Sequence, residues 1–408
     1  MKIVHLTTQT SGGAGLFAHN VYKAGLKINK HQNYLYSIDT LEINKLSRFY
    51  VSLIYRFQDL IYSILSFLGF IKYKHLFFAL YPSFLFKNRI QKELLEVDIF
   101  LIYWISRFFN TESLKELKTN NPKAKFIFLL TDEAPLTGGC HYKFDCKNYE
   151  NSCKKCPGMS LKFLQKKVST EFASKRNLYK LLKPKFIFPS STYLSDFKNS
   201  ILIDNCDYLV TPFGAFFKKE LDFFIKRRKL YLEKNNIIIN ILIRSSEEPR
   251  KGCKFFLDSI KEISLKDPSI LNKIKLHIIG DAFLTNNGIG KLIDTSYYGI
   301  VDRERLMELY VESDILLITS EEDAGPIMIN EACGIGLYVI SSKVGVATDL
   351  INGRNGQVYN QKTEELIEIL NTLKIKTVRE YANDFINSDH NYRLSFENFY
   401  ENIIHQKN

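Results

Sequence analysis

No apolar run in this 408-residue chain is long enough to cross a bilayer. A span needs about 20 such residues, and the greasiest uncharged stretch, Leu60–Ile71, falls well short. There is no apolar leader with a cleavage site either. Met1–Leu6 reads as a short first strand, so a secreted protein is not expected and a cytoplasmic one is. The seven cysteines then sit in a reducing compartment, which argues against a disulfide framework. The dinucleotide spacing G-x-G-x-x-G fails at the first glycine loop, and no nucleic-acid recognition module appears. No Asp-x-Asp occurs anywhere. Acid is scarce in one half only: residues 1–200 hold 30 Lys+Arg against 14 Asp+Glu, whereas residues 201–408 hold 26 against 30. A basic first half points to an anionic partner.

What is present reads as two globular α/β domains. The length and the 45% hydrophobic content suit two cores. Lys2–Thr7, Asp98–Ile105, Lys125–Leu130 and Lys185–Pro189 read as buried strands, with Lys185–Pro189 the last of the first domain and Tyr208–Gly214 the crossing. Ile237–Ile243 opens the second domain, followed by the strands Leu276–Gly280, Ile315–Thr319 and Leu337–Ser342; Leu276–Asp281 and Tyr298–Val301 are expected to flank a nucleotide base. Between the first strand and the first helix stand Gly12, Gly13 and Gly15, which let backbone approach a ligand closely. Phe49–Asn88 is greasy and basic, with aromatics crowding Tyr73–Phe86 and Lys72, Lys74, Lys87 and Arg89 among or beside them. It reads either as an interfacial surface for an anionic membrane or as a pair of core helices. Cys140, Cys146, Cys153 and Cys156 end in Cys-x2-Cys and suit a structural zinc, with nearby lysines expected to favour thiolates; reduced, unliganded thiols or disulfides are the alternatives.

The most informative stretch is Asp323–Glu331. Two acids stand eight positions apart with Gly325 and Pro326 between them, in a strand–loop–helix–strand setting. Such a loop lies at the carboxyl edge of a parallel sheet, where open α/β folds bind ligands. A helix beginning near Ile327 offers backbone N–H groups suited to phosphate. Glu331, read as lying in the first helical turn, is acceptor-only when ionised and suits two hydroxyls of a ribose or sugar. An N-capping acid on an ordinary surface helix is the plainer alternative.

With Pro326 five before the second acid, this segment resembles the acid–seven residues–acid motif of the retaining glycosyltransferases of family 4. The resemblance continues through Ser342–Asp349, runs back through Tyr298–Asp302 and Leu309–Tyr310, and is most specific in residues 298–357. It implies an α/β GT-B fold: two doubly wound Rossmann-like domains facing across a cleft. The boundaries expected are 1–211 for the acceptor side, 212–387 for the nucleotide-sugar side and 388–408 for a terminal helix packing back on the first domain or capping the second. Thr131–Tyr142 resembles the subgroup of bacterial surface-polysaccharide synthesis, which has His-Asp-x-Trp-Pro-x-Thr-Gly-Gly-Cys-His. Asp132, Pro135, Thr137, Gly138, Gly139, Cys140 and His141 match. Thr131 replaces the family's His and Ala134 its Trp, with His141 a possible partial substitute.

The implied function is sugar transfer, with retention, from a nucleoside-diphosphate sugar to a glycan or polyprenyl-linked acceptor at the inner face of the cell membrane. In that role Lys251 and Arg244, with Arg250, neutralise the diphosphate, since a leaving group gathers negative charge. Glu331 holds the ribose. Asp323 and the backbone at Gly325–Ile327 orient the sugar. Asp132, His141 and the Gly12–Gly15 loop line the acceptor side. The missing Asp-x-Asp and the available cations argue for catalysis without a metal. A nucleotide-sugar epimerase of the same fold and a degenerate, non-catalytic binding scaffold are the rival readings.

Overall fold

The computed structural model describes residues 1–40, 45–72, 94–234, 237–386 and 393–405. The aromatic flank Tyr73–Phe86, with Lys74, Lys87 and Arg89, lies outside the described residues. The chain divides into two compact units, Met1–Phe188 with Leu194–Val210, and Pro189–Tyr193 with Thr211–Asn408.

The first unit is built on β1 (Lys2–Leu6), β2 (Gln32–Tyr36), β3 (Ile99–Ile102), β4 (Lys125–Leu129), β5 (Lys185–Phe188) and β6 (Asp207–Val210). They form one sheet in the order β2-β1-β3-β4-β5-β6, parallel throughout. A parallel sheet covered on both faces needs apolar side chains on both, and Ile99–Ile102 is buried at every position. The edge strands obey a weaker rule. β2 reads Gln-Asn-Tyr-Leu-Tyr with exposed positions, and β6 is partly exposed along its length. Lys185–Phe188 is therefore not the last strand of this unit, because Asp207–Val210, read from sequence as a crossing, pairs with it.

The second unit is built on β7 (Ile239–Ser245), β8 (Ile274–Gly280), β9 (Asp294–Gly299), β10 (Ile315–Ile318), β11 (Tyr338–Ser342) and β12 (Gly356–Tyr359), ordered β12-β11-β10-β7-β8-β9. Alternate residues feed two cores. Leu242, Leu316 and Val339 enter one, while Ile241, Leu317 and Ile340 enter the other. The helix Phe396–His405 buries Phe396, Phe399, Tyr400 and Ile403. Its described ring contacts, to Phe213 and Phe217, lie within the second unit.

In each sheet the strand order reverses once, between the adjacent pair β1 and β3 and between the adjacent pair β7 and β10. At such a reversal the loops beyond the carboxyl ends diverge and leave a crevice, the usual ligand position in this architecture.

Candidate active site

The second unit's reversal point is held together by backbone. After β7 the chain makes a short turn, Pro249–Lys251, and then Gly252 at φ 67°. A side chain there is impossible without movement: a Cβ would lie 1.8 Å from the Thr319 carbonyl oxygen. Thr319 Oγ1 donates to the Lys251 carbonyl at 2.8 Å, and the Glu321 amide donates to the Arg250 carbonyl at 2.6 Å. The β7 loop is thus laid against the β10 loop. Gly345, at φ 49°, closes the other side, since a Cβ on it would meet Gly325 Cα at 2.7 Å.

This stitching brings three sequence-predicted residues together. Lys251 Nζ is 2.5 Å from Asp323 Oδ2 and Arg250 is 3.6 Å from the same oxygen. Asp323 Oδ1 accepts from the Gly325 amide at 3.2 Å. Burial pushes the Asp323 carboxyl up, but the Lys251 ammonium and Arg250 outweigh it, and it is held below its usual value. Arg244, at the end of β7, is exposed; it makes no ion pair among the described residues. Pro326 precedes the helix Ile327–Gly334, whose first turn has no side-chain cap.

Glu331 falls in the second turn of that helix, not the first. It points at the helix Arg303–Glu312 instead of the Lys251 cluster. Its Oε1 accepts from Arg303 at 2.8 Å and its Oε2 from the Tyr310 hydroxyl at 2.8 Å. An ionised carboxylate has about four acceptor positions, so two remain. Burial pushes the Glu331 carboxyl up, and Arg303 and Tyr310 only partly offset this. Arg303 also donates to Glu220 at 3.0 Å and to the Ala215 carbonyl at 2.8 Å. Sequence reasoning assigned no role to Arg303 or Tyr310. The resemblance around Leu309–Tyr310 was the available signal.

The first unit's reversal point has different chemistry. The Thr8 amide donates to the Trp104 carbonyl and its hydroxyl to the Ser106 carbonyl, both at 2.7 Å, tying the β1 loop to the β3 loop. Gly12 sits at φ 70°, and a Cβ on Gly15 would meet the Gln9 carbonyl oxygen at 2.4 Å, while one on Gly13 would meet nothing within 4 Å. From the β4 loop, Asp132 and His141 pair through Oδ2 and Nδ1, and both are buried. Trp104 Nε1 lies 3.3 Å from the same Nδ1. One nitrogen cannot both accept from the indole and donate to a carboxylate. The carboxylate takes precedence, so Nδ1 carries a proton, and in the neutral ring Nε2 is then an acceptor facing Ser106 Oγ at 3.4 Å. A cavity of about 70 Å³ is lined by Trp104, Asp132 and Ala134.

The four loop cysteines are free thiols. Among the described residues no three His, Cys, Asp or Glu side chains are gathered closely enough to hold a metal ion, so the present placement does not fit a four-sulfur zinc site. Nor do nearby lysines make thiolates: burial pushes Cys153 up to about 12 and raises Cys140 and Cys156 as well.

Residues 238–374 match the protein family described as glycosyl transferases group 1. Among curated proteins, the chain is similar to the putative colanic acid biosynthesis glycosyl transferase WcaC of Escherichia coli K12. The two are 21% identical over 280 residues, which cover 67% of this chain and 64% of WcaC. The match to an uncharacterized 41.2 kDa protein in the cps region of Klebsiella pneumoniae is 28% identical, covering 37% of this chain and 43% of that one. The chain thus spans less than two thirds of the curated relatives it matches. Among solved structures, Anabaena HepE in complex with UDP and glucose is 16% identical with a TM-score of 0.55, covering 99% of this chain and 98% of that one. WaaG, a glycosyltransferase involved in lipopolysaccharide biosynthesis, is 14% identical with a TM-score of 0.56 over 100% of both chains. With two parallel Rossmann-like sheets, of six strands each among the described residues, the fold is that of the GT-B glycosyltransferases.

Proposed function

We propose that this chain is a retaining glycosyltransferase. It takes a sugar from a nucleoside-diphosphate sugar and passes it to a glycan or polyprenyl-linked acceptor in bacterial surface-polysaccharide synthesis. The observation that carries the reading is the Arg250–Lys251–Asp323 cluster at the reversal point of the second sheet. Lys251 has three donors, so it keeps Asp323 while donating to a phosphate oxygen. Arg244 supplies the exposed positive charge. Together they stabilise the diphosphate as it leaves, which is where transferase catalysis needs cations. Glu331 offers its two remaining acceptor positions to the ribose. The sugar-transfer names of WcaC and WaaG and the UDP held by HepE support this choice of chemistry.

A non-catalytic scaffold is the second reading, favoured by Thr131 and Ala134. The first unit speaks against it. Trp104, the only tryptophan of the chain, lines the same cavity as Ala134, and His141 is held by Asp132 in the tautomer that leaves Nε2 as an acceptor. Both side-chain types lost from the motif are therefore present nearby in space.

The test is a thermal-shift screen with UDP-, GDP- and dTDP-sugars, because a ligand bound only by the folded state raises its midpoint. No shift with any of them removes the reading. Product NMR with an acceptor decides transfer against epimerisation and retention against inversion. Activity that survives EDTA supports leaving-group stabilisation by cations alone; strict dependence on added magnesium removes that part. Zinc in the cysteine loop would require the four sulfurs to converge and lose their protons. Elemental analysis of freshly reduced protein decides it, with about one zinc per chain for the site and none against it. The proposed acceptor chemistry and the basic first half support a position at an anionic membrane surface, and none of the described helices is long and apolar enough to cross a membrane.

A further inference from the structure

Of the two readings of the greasy segment, burial in the core does not hold for one whole side of the helix Lys45–Phe67 over residues 53–67. Its inward side includes Gln58, which is 4% exposed. Leu53, Phe57, Leu60, Ile64, Phe67 and Leu68 are instead 51%, 59%, 55%, 48%, 91% and 55% exposed. At a helical turn of about 100° per residue, these six fall within about 100° of arc. They make one continuous apolar stripe, of the kind that folded proteins seldom leave to water.

The helix is fixed to the body of the first unit with that stripe outward. Asp59 pairs with Arg107 at 2.6 Å on the other side. Just beyond the helix, the Lys72 amide donates to the Gly158 carbonyl at 2.9 Å, and Ser160 returns a bond to the Phe70 carbonyl at 2.9 Å. The stripe is therefore a presented surface.

Its charge setting selects the occupant. Residues 45–92 hold 8 Lys+Arg and a single acid, Asp59, and that acid is engaged by Arg107. A second copy would bring the same positive charge against itself. An anionic phospholipid surface meets both features, since apolar side chains enter the acyl boundary and cations sit at the headgroups. None of the described helices is long and apolar enough to cross a membrane.

We infer that the exposed Leu53–Leu68 face is a membrane-docking surface, which lies in the plane of an anionic leaflet and inserts its apolar side chains there. Its purpose, bringing the enzyme to a lipid-carried acceptor, rests on the proposed function; the docking itself does not.

The test uses the full chain and sedimentation with phosphatidylcholine vesicles, with and without phosphatidylglycerol. Wild-type protein is expected to sediment preferentially with the anionic vesicles, partly released by salt. The variant F57Q/I64Q/F67Q should partition at least about tenfold more weakly, with an unchanged melting midpoint and an unchanged shift with nucleotide-sugar. Should the triple variant fail to fold by circular dichroism, F67Q alone replaces it, since Phe67 is almost wholly exposed. Wild-type binding that the folded variants retain overturns the proposal, and so does no preference for anionic lipid. A wild-type dimer in lipid-free sedimentation velocity that the variant abolishes assigns the stripe to a second copy and also overturns it. A nucleotide-sugar shift without vesicle binding sinks the docking surface alone, and vesicle binding without any such shift sinks the transferase reading alone.

Discussion

The two reversal points share a construction and differ in chemistry. In both, the loop of a unit's first strand is bonded to the loop of the strand beside it; glycine is required where they meet at Gly252, whereas Gly15 is required by the β1 loop's own carbonyl at Gln9. At β7 and β10 the side chains gathered there are two cations and a carboxylate. At β1, β3 and β4 they are a histidine, a carboxylate, a hydroxyl and an indole. The fold supplies the same strand reversal twice, and on the proposed reading the residue types suit one to a diphosphate and the other to a hydroxyl-bearing acceptor. Function is thus set by a few side chains on a repeated frame.

That comparison is open to four attacks. The heaviest is on the frame. Gly252→Ala forces a left-handed Cβ into the Thr319 carbonyl, and should cost about 3 kcal/mol or more of stability and abolish nucleotide-sugar stabilisation, as read by urea unfolding and thermal shift.

The next is on the chemistry. Lys251→Ala should lower turnover by about 10²–10³-fold, the usual loss for a group that stabilises transition-state charge. Asp132→Asn should lower turnover by about tenfold or more through lost orientation of His141, while the nucleotide-sugar shift stays at its wild-type value. If Asp132→Asn removes that shift, the division of labour fails.

The third attack uses pH to set the two acids of the second unit against each other. Asp323 is held below its ordinary 3.8, so its stabilisation is complete above that value and is lost as pH falls through the depressed one. Glu331 is raised above its ordinary 4.5, so its contribution is present below 4.5 and is lost as pH climbs through the raised value. Asp323→Asn should remove a slope that rises with pH, and Glu331→Gln one that falls. Urea midpoints across the acid range check both signs; equal slopes in the two variants contradict the assignment.

The smallest effect is expected at Gly13→Ala. It lies in the helix Gly12–Ile28 and a Cβ there meets nothing. Stability should rise by about 0.5–1 kcal/mol, against a clear loss at Gly15→Ala, where the Gln9 carbonyl is in the way.

Much of the frame was legible in the sequence because buried parallel strands are written as unbroken apolar runs. β3, β4, β7, β10 and β11 were all visible that way. β2 and β12 were not, because Gln32–Tyr36 and Gly356–Tyr359 are short edge strands, only partly buried, in which polar residues or glycine interrupt any apolar run. The Lys251–Asp323 association was anticipated through a shared site. The Glu331–Arg303–Tyr310 contacts were not, since their partners lie 28 and 21 positions away and no local spacing encodes such a meeting. Periodicity showed that Leu60–Ile71 is greasy, but it does not say which side a neighbouring body covers. The cysteine spacing suggested ligation, but spacing alone does not record how far apart the sulfurs come to rest.

The ion pair at the donor site has a consequence for what happens after transfer. On the proposed reading, Asp323 is an anion built into the place where the spent nucleotide must leave. It competes with that product for Lys251 from a distance of 2.5 Å, at an effective concentration no free anion reaches. On the proposed reading the lysine never leaves this resident partner, so its charge falls back to Asp323 alone as soon as the diphosphate loosens. The enzyme then shortens the stay of its own product, and its turnover is less prone to inhibition by the nucleotide that accumulates as the polymer grows.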